Sequence, residues 1–226
     1  MASKKYDIVL FGVTGFTGKL AAEYLLTAKK DAGVKWAVSA RNASKAEAVL
    51  NTLVADTTTT TTIPDILVAD LVCSTPDDRA KLQSIVEQTK VVLTCSGPFE
   101  KYGPTLVELC AETGVYYADI TGETDYVRQT IEKHDQTAQK SGAVLMSHCG
   151  HDCIPCDLMV WEMNQFASNK GCHLTEVMTY QEFADEATFS GGTVATAAFQ
   201  LSKDRTKPKT NFDPLLMTVR HHESPV

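Results

Sequence analysis

Long apolar runs are missing from this chain of 226 residues. The longest candidates are broken by Gly, Asp or Lys within about ten positions, short of the roughly 18 to 20 consecutive apolar residues that a bilayer-spanning helix needs. A transmembrane span is therefore not expected. An excess of basic residues is missing too: 28 acidic against 21 basic residues give a net charge of −7, the wrong sign for a surface that neutralises nucleic-acid phosphates. Pro and Gly are sparse, at 8 and 13, and 43% hydrophobic with 22% charged residues is an ordinary globular balance, which excludes collagen, coiled coil and disorder. The N-terminus leads straight into a strand-like run with no apolar signal-peptide region. The 7 cysteines are odd in number and sit mostly inside apolar runs, so a disulfide framework is not expected. A reducing, intracellular and cytoplasmic setting is the expectation.

Repeats of 20 to 50 residues, the mark of solenoids and propellers, are also absent. The six threonines at 57–62 cannot supply a core face and read as an extended surface connection.

What is present is alternation. Residues 7–11 (D-I-V-L-F) read as a buried strand, broken by Gly12-Val13-Thr14-Gly15-Phe16-Thr17-Gly18 ahead of a helix expected to carry Leu20, Tyr24 and Leu25 on one side. Strands are then expected at Trp36–Ala40, 65–71, 90–95, 115–120 and 143–147, and helices at 44–54, 76–88, Pro104–Thr113 and 124–140. Six short apolar strands separated by helices predict an α/β fold, a doubly wound parallel sheet of Rossmann type. After Cys156 the texture changes to a helix at about 157–166, a strand-like 174–182, and Ser190-Gly191-Gly192-Thr193 opening a helix of small residues. The expected division is a nucleotide-binding domain over residues 1–157 and the start of a second, α+β substrate domain over 158–226. About 70 residues is thin for an independent core, so the chain is expected to stop partway through a longer architecture.

The chemistry-bearing motif is Gly12-x-x-Gly15-x-x-Gly18 between a strand and a helix. Glycines there allow a tight turn and let the backbone approach a pyrophosphate at a helix N-terminus. Thr14, Phe16 and Thr17 share that turn. The phosphate loop G-x-x-x-x-G-K-[ST] fails, because Val13 stands at its first glycine and Leu20 at its Ser/Thr position. At the end of the second strand, where an NAD site presents a carboxylate to the ribose, stand Ser39-Ala40-Arg41-Asn42. The Arg41 guanidinium, with Lys45 nearby, suits a 2′-phosphate, so NADP(H) is expected, with NAD as the alternative. Asp70 is expected either beside the adenine or as a helix cap.

Ser96-Gly97-Pro98-Phe99 ends the fourth strand on the nicotinamide side of such a sheet, although Gly-Pro is also an ordinary loop breaker. Asp119 and Glu123, in Asp119-Ile120-Thr121-Gly122-Glu123, put two carboxylates and a hydroxyl at the same edge. They can hold a substrate, relay a proton or cap the next helix. Cys149, Cys153 and Cys156 form C-x-x-x-C-x-x-C, a spacing at which three thiolates hold an iron–sulfur cluster in radical enzymes, but there the loop follows the first strand of a barrel, whereas here it follows the sixth strand of a dinucleotide-type sheet. Cys153, Cys156, Cys172 and His173 form a conceivable zinc set without a second clean pair, and no metal is expected. No tyrosine is followed four residues later by Lys, so the Tyr-x-x-x-Lys pair of short-chain dehydrogenases is absent.

Several blocks together resemble the saccharopine dehydrogenase-like oxidoreductases, a family with a eukaryotic branch and bacterial trans-acting enoyl reductases. They are the opening from Tyr6 to Gly18, Gly97-Pro98-Phe99 with Tyr102-Gly103, and Tyr117, Asp119 and Thr121-Gly122-Glu123. Gly150-x-Asp152-x-x-Pro155-x-Asp157 and Ser190-Gly191-Gly192-Thr193 follow in the same order. Cys153 stands where the family usually has Ser, and His151 where an aromatic is common. The resemblance implies an NAD(P)-dependent oxidoreductase acting on a C=C, C=N or C=O bond of a small or lipid-like substrate. It also implies longer proteins, with membrane or lipid-droplet association in the eukaryotic branch; a homodimer is compatible with it. The other readings are a truncated NADP(H)-binding homologue serving as a non-catalytic sensor, and a metal-dependent protein built on the cysteine triplet.

Overall fold

The computed structural model describes residues 4–27, 33–56, 63–180, 182 and 190–203. Six strands, β1 (Tyr6–Phe11), β2 (Trp36–Ala40), β3 (Asp65–Val68), β4 (Thr89–Thr94), β5 (Tyr116–Asp119) and β6 (Leu145–Met146), form one sheet in the order β3-β2-β1-β4-β5-β6. Every pairing is parallel. Between them run α1 (Phe16–Thr27), α2 (Ala43–Asp56), α3 (Pro76–Val86), α4 (Phe99–Tyr102), α5 (Pro104–Thr113) and α6 (Thr124–Ser141). The order reverses beside β1, and this opens the crevice at the carboxyl edge where β1 and β4 end. The architecture is the doubly wound α/β sheet expected from the alternation.

Parallel strands are buried on both faces, which is why β1 reads as continuous apolar sequence. Successive residues of a strand point to opposite faces. Val9 and Phe11 join a core with Leu82, Val86, Leu106 and Leu109 from α3 and α5, while Leu10 joins Ala22, Ala46 and Leu50 from α1 and α2. A third, smaller cluster of Phe99, Tyr126 and Val127 ties α4 to α6.

Helix ends follow local chemistry. Thr75 accepts the Asp78 N–H while Asp78 accepts the Thr75 N–H, a capping box at α3. Gly114 and Gly142 close α5 and α6 in the left-handed conformation. Proline opens α3 and α5 at the first turn.

Several expectations are corrected. The buried side of α1 is Gly18, Ala22, Leu25 and Leu26, whereas Leu20 and Tyr24 are exposed. The first turns of the helix pack close to the sheet through the small residues Gly18 and Ala22, so Leu20 and Tyr24 are turned outward, and the large buried side chains come only later, at Leu25 and Leu26. Strand β6 shrinks to two residues, and the four-residue α4 had no signal of its own in the sequence. The helix expected near 157–166 is longer at both ends, as α7 (Ile154–Asn169). Among the described residues of 174–182 there is neither helix nor strand, consistent with a run that finds no strand edge to pair with. The Thr57–Thr62 run and all residues after Lys203 lie outside the described residues.

The Ser190–Thr193 block opens α8 (Gly191–Ser202), with the Ser190 hydroxyl accepting the Thr193 N–H at 3.1 Å. Neither α7 nor α8 buries a residue, and α7 leaves Leu158, Trp161 and Phe166 exposed. Among the described residues, no helix is long and apolar enough to cross a membrane.

Candidate functional site

The carboxyl ends of β1, β2 and β4 open into a cavity of about 680 Å³, within the roughly 300–1,000 Å³ of small-molecule sites. Its lining gathers, from distant parts of the chain, Gly12, Thr14, Gly15, Phe16 and Thr17 of the turn after β1, and Arg41, Asn42 and Lys45 after β2. Asp70 follows β3, Ser96 and Gly97 follow β4, and Tyr102, Ser190 and Gly192 complete the wall.

The turn cannot be built without glycine at two positions. Gly12 adopts φ +90, and a Cβ there would lie 2.7 Å from the Ser96 hydroxyl and 3.0 Å from the Cys95 backbone. That approach brings the ends of β1 and β4 together. A Cβ on Gly18 would fall inside the Gly12 carbonyl, so Gly18, although not part of the lining, sets how closely α1 packs on β1 and aims its N-terminus at the cavity.

On the β2 side, Asn42 lines the cavity while its Oδ1 accepts the Lys45 N–H at 2.9 Å, which caps α2. Asp70 accepts the Val72 N–H at 3.0 Å within its own loop. Thr75 supplies the cap of α3, so of the two expectations for Asp70 the helix-capping one falls away. Ser39 was missed as an individual site residue. It lines the cavity, is 1% exposed, and its hydroxyl has no partner among the described residues. Its signal was faint: a small polar residue inside an otherwise apolar strand.

The β5 edge holds a different kind of cluster. Asp119 is fully buried. Its Oδ2 accepts from the Tyr117 hydroxyl at 2.8 Å and the Ser147 hydroxyl at 3.1 Å, and its Oδ1 from the Thr121 N–H at 3.0 Å and the His148 N–H at 3.3 Å. Burial raises its carboxyl above the ordinary range, while these four donors pull the other way. The same burial pushes the Tyr117 hydroxyl well above its ordinary value. His148, with φ +61, donates its Nδ1–H to the Thr121 carbonyl at 2.7 Å, so the loop after β6 is fastened to the loop after β5.

Glu123 is also buried, and its carboxylate reaches back across the sheet edge. One oxygen accepts the Phe99 N–H at 2.6 Å and the other the Glu100 N–H at 3.0 Å. Glu123 stands at the N-cap of α6 without capping that helix by its side chain; it caps α4 instead. Pro98 precedes α4 as its N-cap residue, and Phe99 packs on Tyr126 and Val127. Asp119, Glu123, Pro98 and Phe99 lie outside the cavity lining; Glu123 holds the backbone that follows the β4 end of the cavity, and Asp119 holds the loops after β5 and β6.

The cysteines are separate thiols. The Cys149 Sγ–H points at the Met146 and Ser147 carbonyls, 3.6 and 3.8 Å away, and among the described residues no three His, Cys, Asp or Glu side chains could hold a metal ion.

Comparison with known proteins turns this geometry into a family. The profile of the saccharopine dehydrogenase NADP-binding domain matches residues 8–146, from β1 through β6. The chain belongs to this family. A candidate trans-acting enoyl reductase of Mycobacterium tuberculosis is 37% identical over 207 residues, covering 91% of this chain and 46% of the relative. The trans-acting enoyl reductase of Mycobacterium ulcerans is 32% identical over 230 residues, covering 99% and 52%. The chain thus spans about half the length of the curated relatives it matches. Among solved structures, the Escherichia coli NADPH-dependent quinone oxidoreductase complexed with NADPH is 19% identical, with a TM-score of 0.41 over 62% of this chain and 47% of that one.

The cofactor of this saccharopine dehydrogenase-like domain is NADP(H), and the residues present fit it. The glycine turn leaves backbone rather than side chains at the α1 N-terminus, as a pyrophosphate requires. The cavity holds two cations, Arg41 and Lys45, and one carboxylate, Asp70, a balance suited to an added phosphate. Ser39 offers a hydroxyl left unpaired among the described residues, a group that a buried site normally satisfies.

Proposed function

We propose that this chain carries the cofactor half of an NADP(H)-dependent oxidoreductase, acting on a small or lipid-like substrate with an electron-poor double bond. The observation that carries the reading is a single cavity joining the glycine turn, Arg41 and the Ser96–Gly97 loop in a domain of the NADP-binding family. The enoyl reductases among its relatives favour a C=C bond conjugated to a carbonyl over a C=N bond.

The residue roles follow from position. Gly12, Thr14, Gly15, Phe16, Thr17 and Gly18 form the pyrophosphate turn. Arg41, with Asn42 and Lys45, receives the 2′-phosphate, and Asp70 and Ser39 border the adenosine. Ser96, Gly97, Pro98 and Phe99 make the loop beneath the nicotinamide. When bound, the cofactor supplies a hydride, and the protein's part is to orient the reactants and exclude water. Glu123 acts on that loop as a positioning group, through the hydrogen bonds it accepts from the Phe99 and Glu100 N–H groups, and Asp119 positions the neighbouring loops after β5 and β6 through the Thr121 and His148 N–H groups.

Calorimetric titration of NADPH and NADH into the wild-type protein and Arg41→Ala tests the reading. Charge-assisted hydrogen bonds to a phosphate are worth about 1.5–3 kcal/mol, so the substitution is expected to weaken NADPH by roughly ten- to a hundredfold and to leave NADH nearly unchanged. Failure of the wild-type protein to bind either nucleotide would overturn it.

A further inference from the structure

Helix α8 belongs to no hydrophobic core. None of its residues is buried, and Val194 and Leu201 are exposed. It is nevertheless seated on the cofactor domain, along one face. Residues spaced by four share a face of a helix, and Gly192, Thr196 and Gln200 form such a row. Gly192, with Ser190, lines the cofactor cavity. The Thr196 hydroxyl oxygen would lie 3.5 Å from a Cβ on Gly97, so the middle of the helix rests on the loop after β4. Gln200 donates to the Glu123 carboxylate at 3.1 Å and reaches Glu100 at 3.5 Å. Lys203 adds an ion pair with Glu100.

These contacts are unequal. Glu100 and Lys203 both retain solvent access, where an ion pair contributes little. Glu123 is buried, and the same carboxylate holds the Phe99 and Glu100 N–H groups. Removing Gln200 therefore takes away the hydrogen bond that joins α8 to the group shaping the nicotinamide-side loop.

We propose that Gln200 is a positioning residue: through Glu123 it holds α8 across the β4 end of the cavity, so that Ser190 and Gly192 wall the nicotinamide half of NADP(H). The inference rests on the cofactor reading above. Gln200 lies eight residues along the helix from Gly192, about 12 Å at 1.5 Å per residue, so its effect on the cofactor passes through the helix. The adenosine end, at β2 and β3, lies on the other side of the switch point and is beyond its reach.

Two ligands separate the ends: NADPH, and adenosine 2′,5′-bisphosphate, which lacks the nicotinamide. In Gln200→Leu, with thermal unfolding as the check on folding, NADPH is expected to bind about tenfold more weakly, and the bisphosphate within about twofold of wild type. Gln200→Glu, which sets a third carboxylate beside Glu100 and Glu123, should weaken NADPH further. In the wild-type protein, NADPH but not the bisphosphate should slow amide hydrogen exchange over residues 190–203, a measurement that needs no variant. Equal loss of both ligands, unchanged NADPH binding in Gln200→Leu, or exchange indifferent to NADPH would overturn the positioning role. If wild type binds neither ligand, the cofactor reading itself has failed.

Discussion

The Glu123 carboxylate caps a helix 24 residues earlier in the chain, accepting the Phe99 N–H at 2.6 Å and the Glu100 N–H at 3.0 Å. This one side chain sets the path of the backbone beside the cofactor cavity. In Glu123→Ala, two N–H groups at the start of α4 lose their acceptor, at a cost of about 2–4 kcal/mol in unfolding free energy. Glu123→Gln, which keeps one good acceptor, should lose roughly half of that. Urea denaturation of the two variants measures the difference; no loss in Glu123→Gln would show that the side chain contributes by bulk alone, and equal loss in both that a single neutral acceptor cannot replace the carboxylate.

Gly18 and Gly122 offer a paired comparison. A methyl group at Gly18 meets the Gly12 carbonyl, while one at Gly122 meets nothing within 4 Å. Gly18→Ala should push α1 off β1, destabilise the domain by about 3 kcal/mol or more and abolish NADPH binding, because the obstruction is backbone and has no rotamer in which to retreat. Gly122→Ala should stay within about 0.5 kcal/mol of wild type. Thermal unfolding with and without NADPH distinguishes them.

Asp119 gives the domain a pH dependence of definite sign. Its pKa in the folded protein is raised, chiefly by burial, above the ordinary 3.8. Its contribution to stability is therefore full below about pH 4 and is lost as pH rises through the raised value. Asp119→Asn carries no charge at any pH, and the Tyr117 and Ser147 hydroxyls that donate to Oδ2 can turn to accept from the amide. The melting temperature of the variant minus that of wild type should increase from pH 4 to pH 8. A decrease would mean that the four hydrogen bonds outweigh burial.

Thiol reactivity should follow burial. Cys95 lines the cavity, and burial pushes its thiol up to about 11, from an ordinary 9.0. Burial raises Cys110 further still, whereas Cys172 is exposed. Two units mean roughly a hundredfold less thiolate near neutral pH. Alkylation followed by mass spectrometry should label Cys172 first and Cys110 last, and NADPH should slow labelling of Cys95. Labelling of Cys95 that ignores NADPH would place the cofactor elsewhere.

What could be read from the sequence was what depends on neighbours along the chain. The Gly12–Gly18 turn, the apolar run of β1 and the helix from Pro104 to Thr113 are local patterns, and they stand where expected. Arg41 could be placed because it directly follows β2. What could not be read depends on residues far apart. The cap that Glu123 gives to α4, the unpaired hydroxyl of Ser39 and the row Gly192, Thr196 and Gln200 acquire meaning only after the sheet has brought them together. The buried side of α1 was misjudged for a related reason: weighing large side chains favours Leu20 and Tyr24, whereas close packing against β1 is made by Gly18 and Ala22.

The strand order bears on how the chain is born. β1 leaves the ribosome before the other five strands of this sheet, and it pairs with β2 on one side but with β4 on the other. The first partner is complete at Ala40, the second only at Thr94. Until then the future centre of the sheet is an edge, with unpaired N–H and C=O groups beside Val9 and Phe11, the kind of edge that recruits strands from other chains. A nascent chain arrested before Thr89 is thus the form of this protein with the greatest need of a chaperone, and slow translation through α2 or α3 would lengthen its exposure.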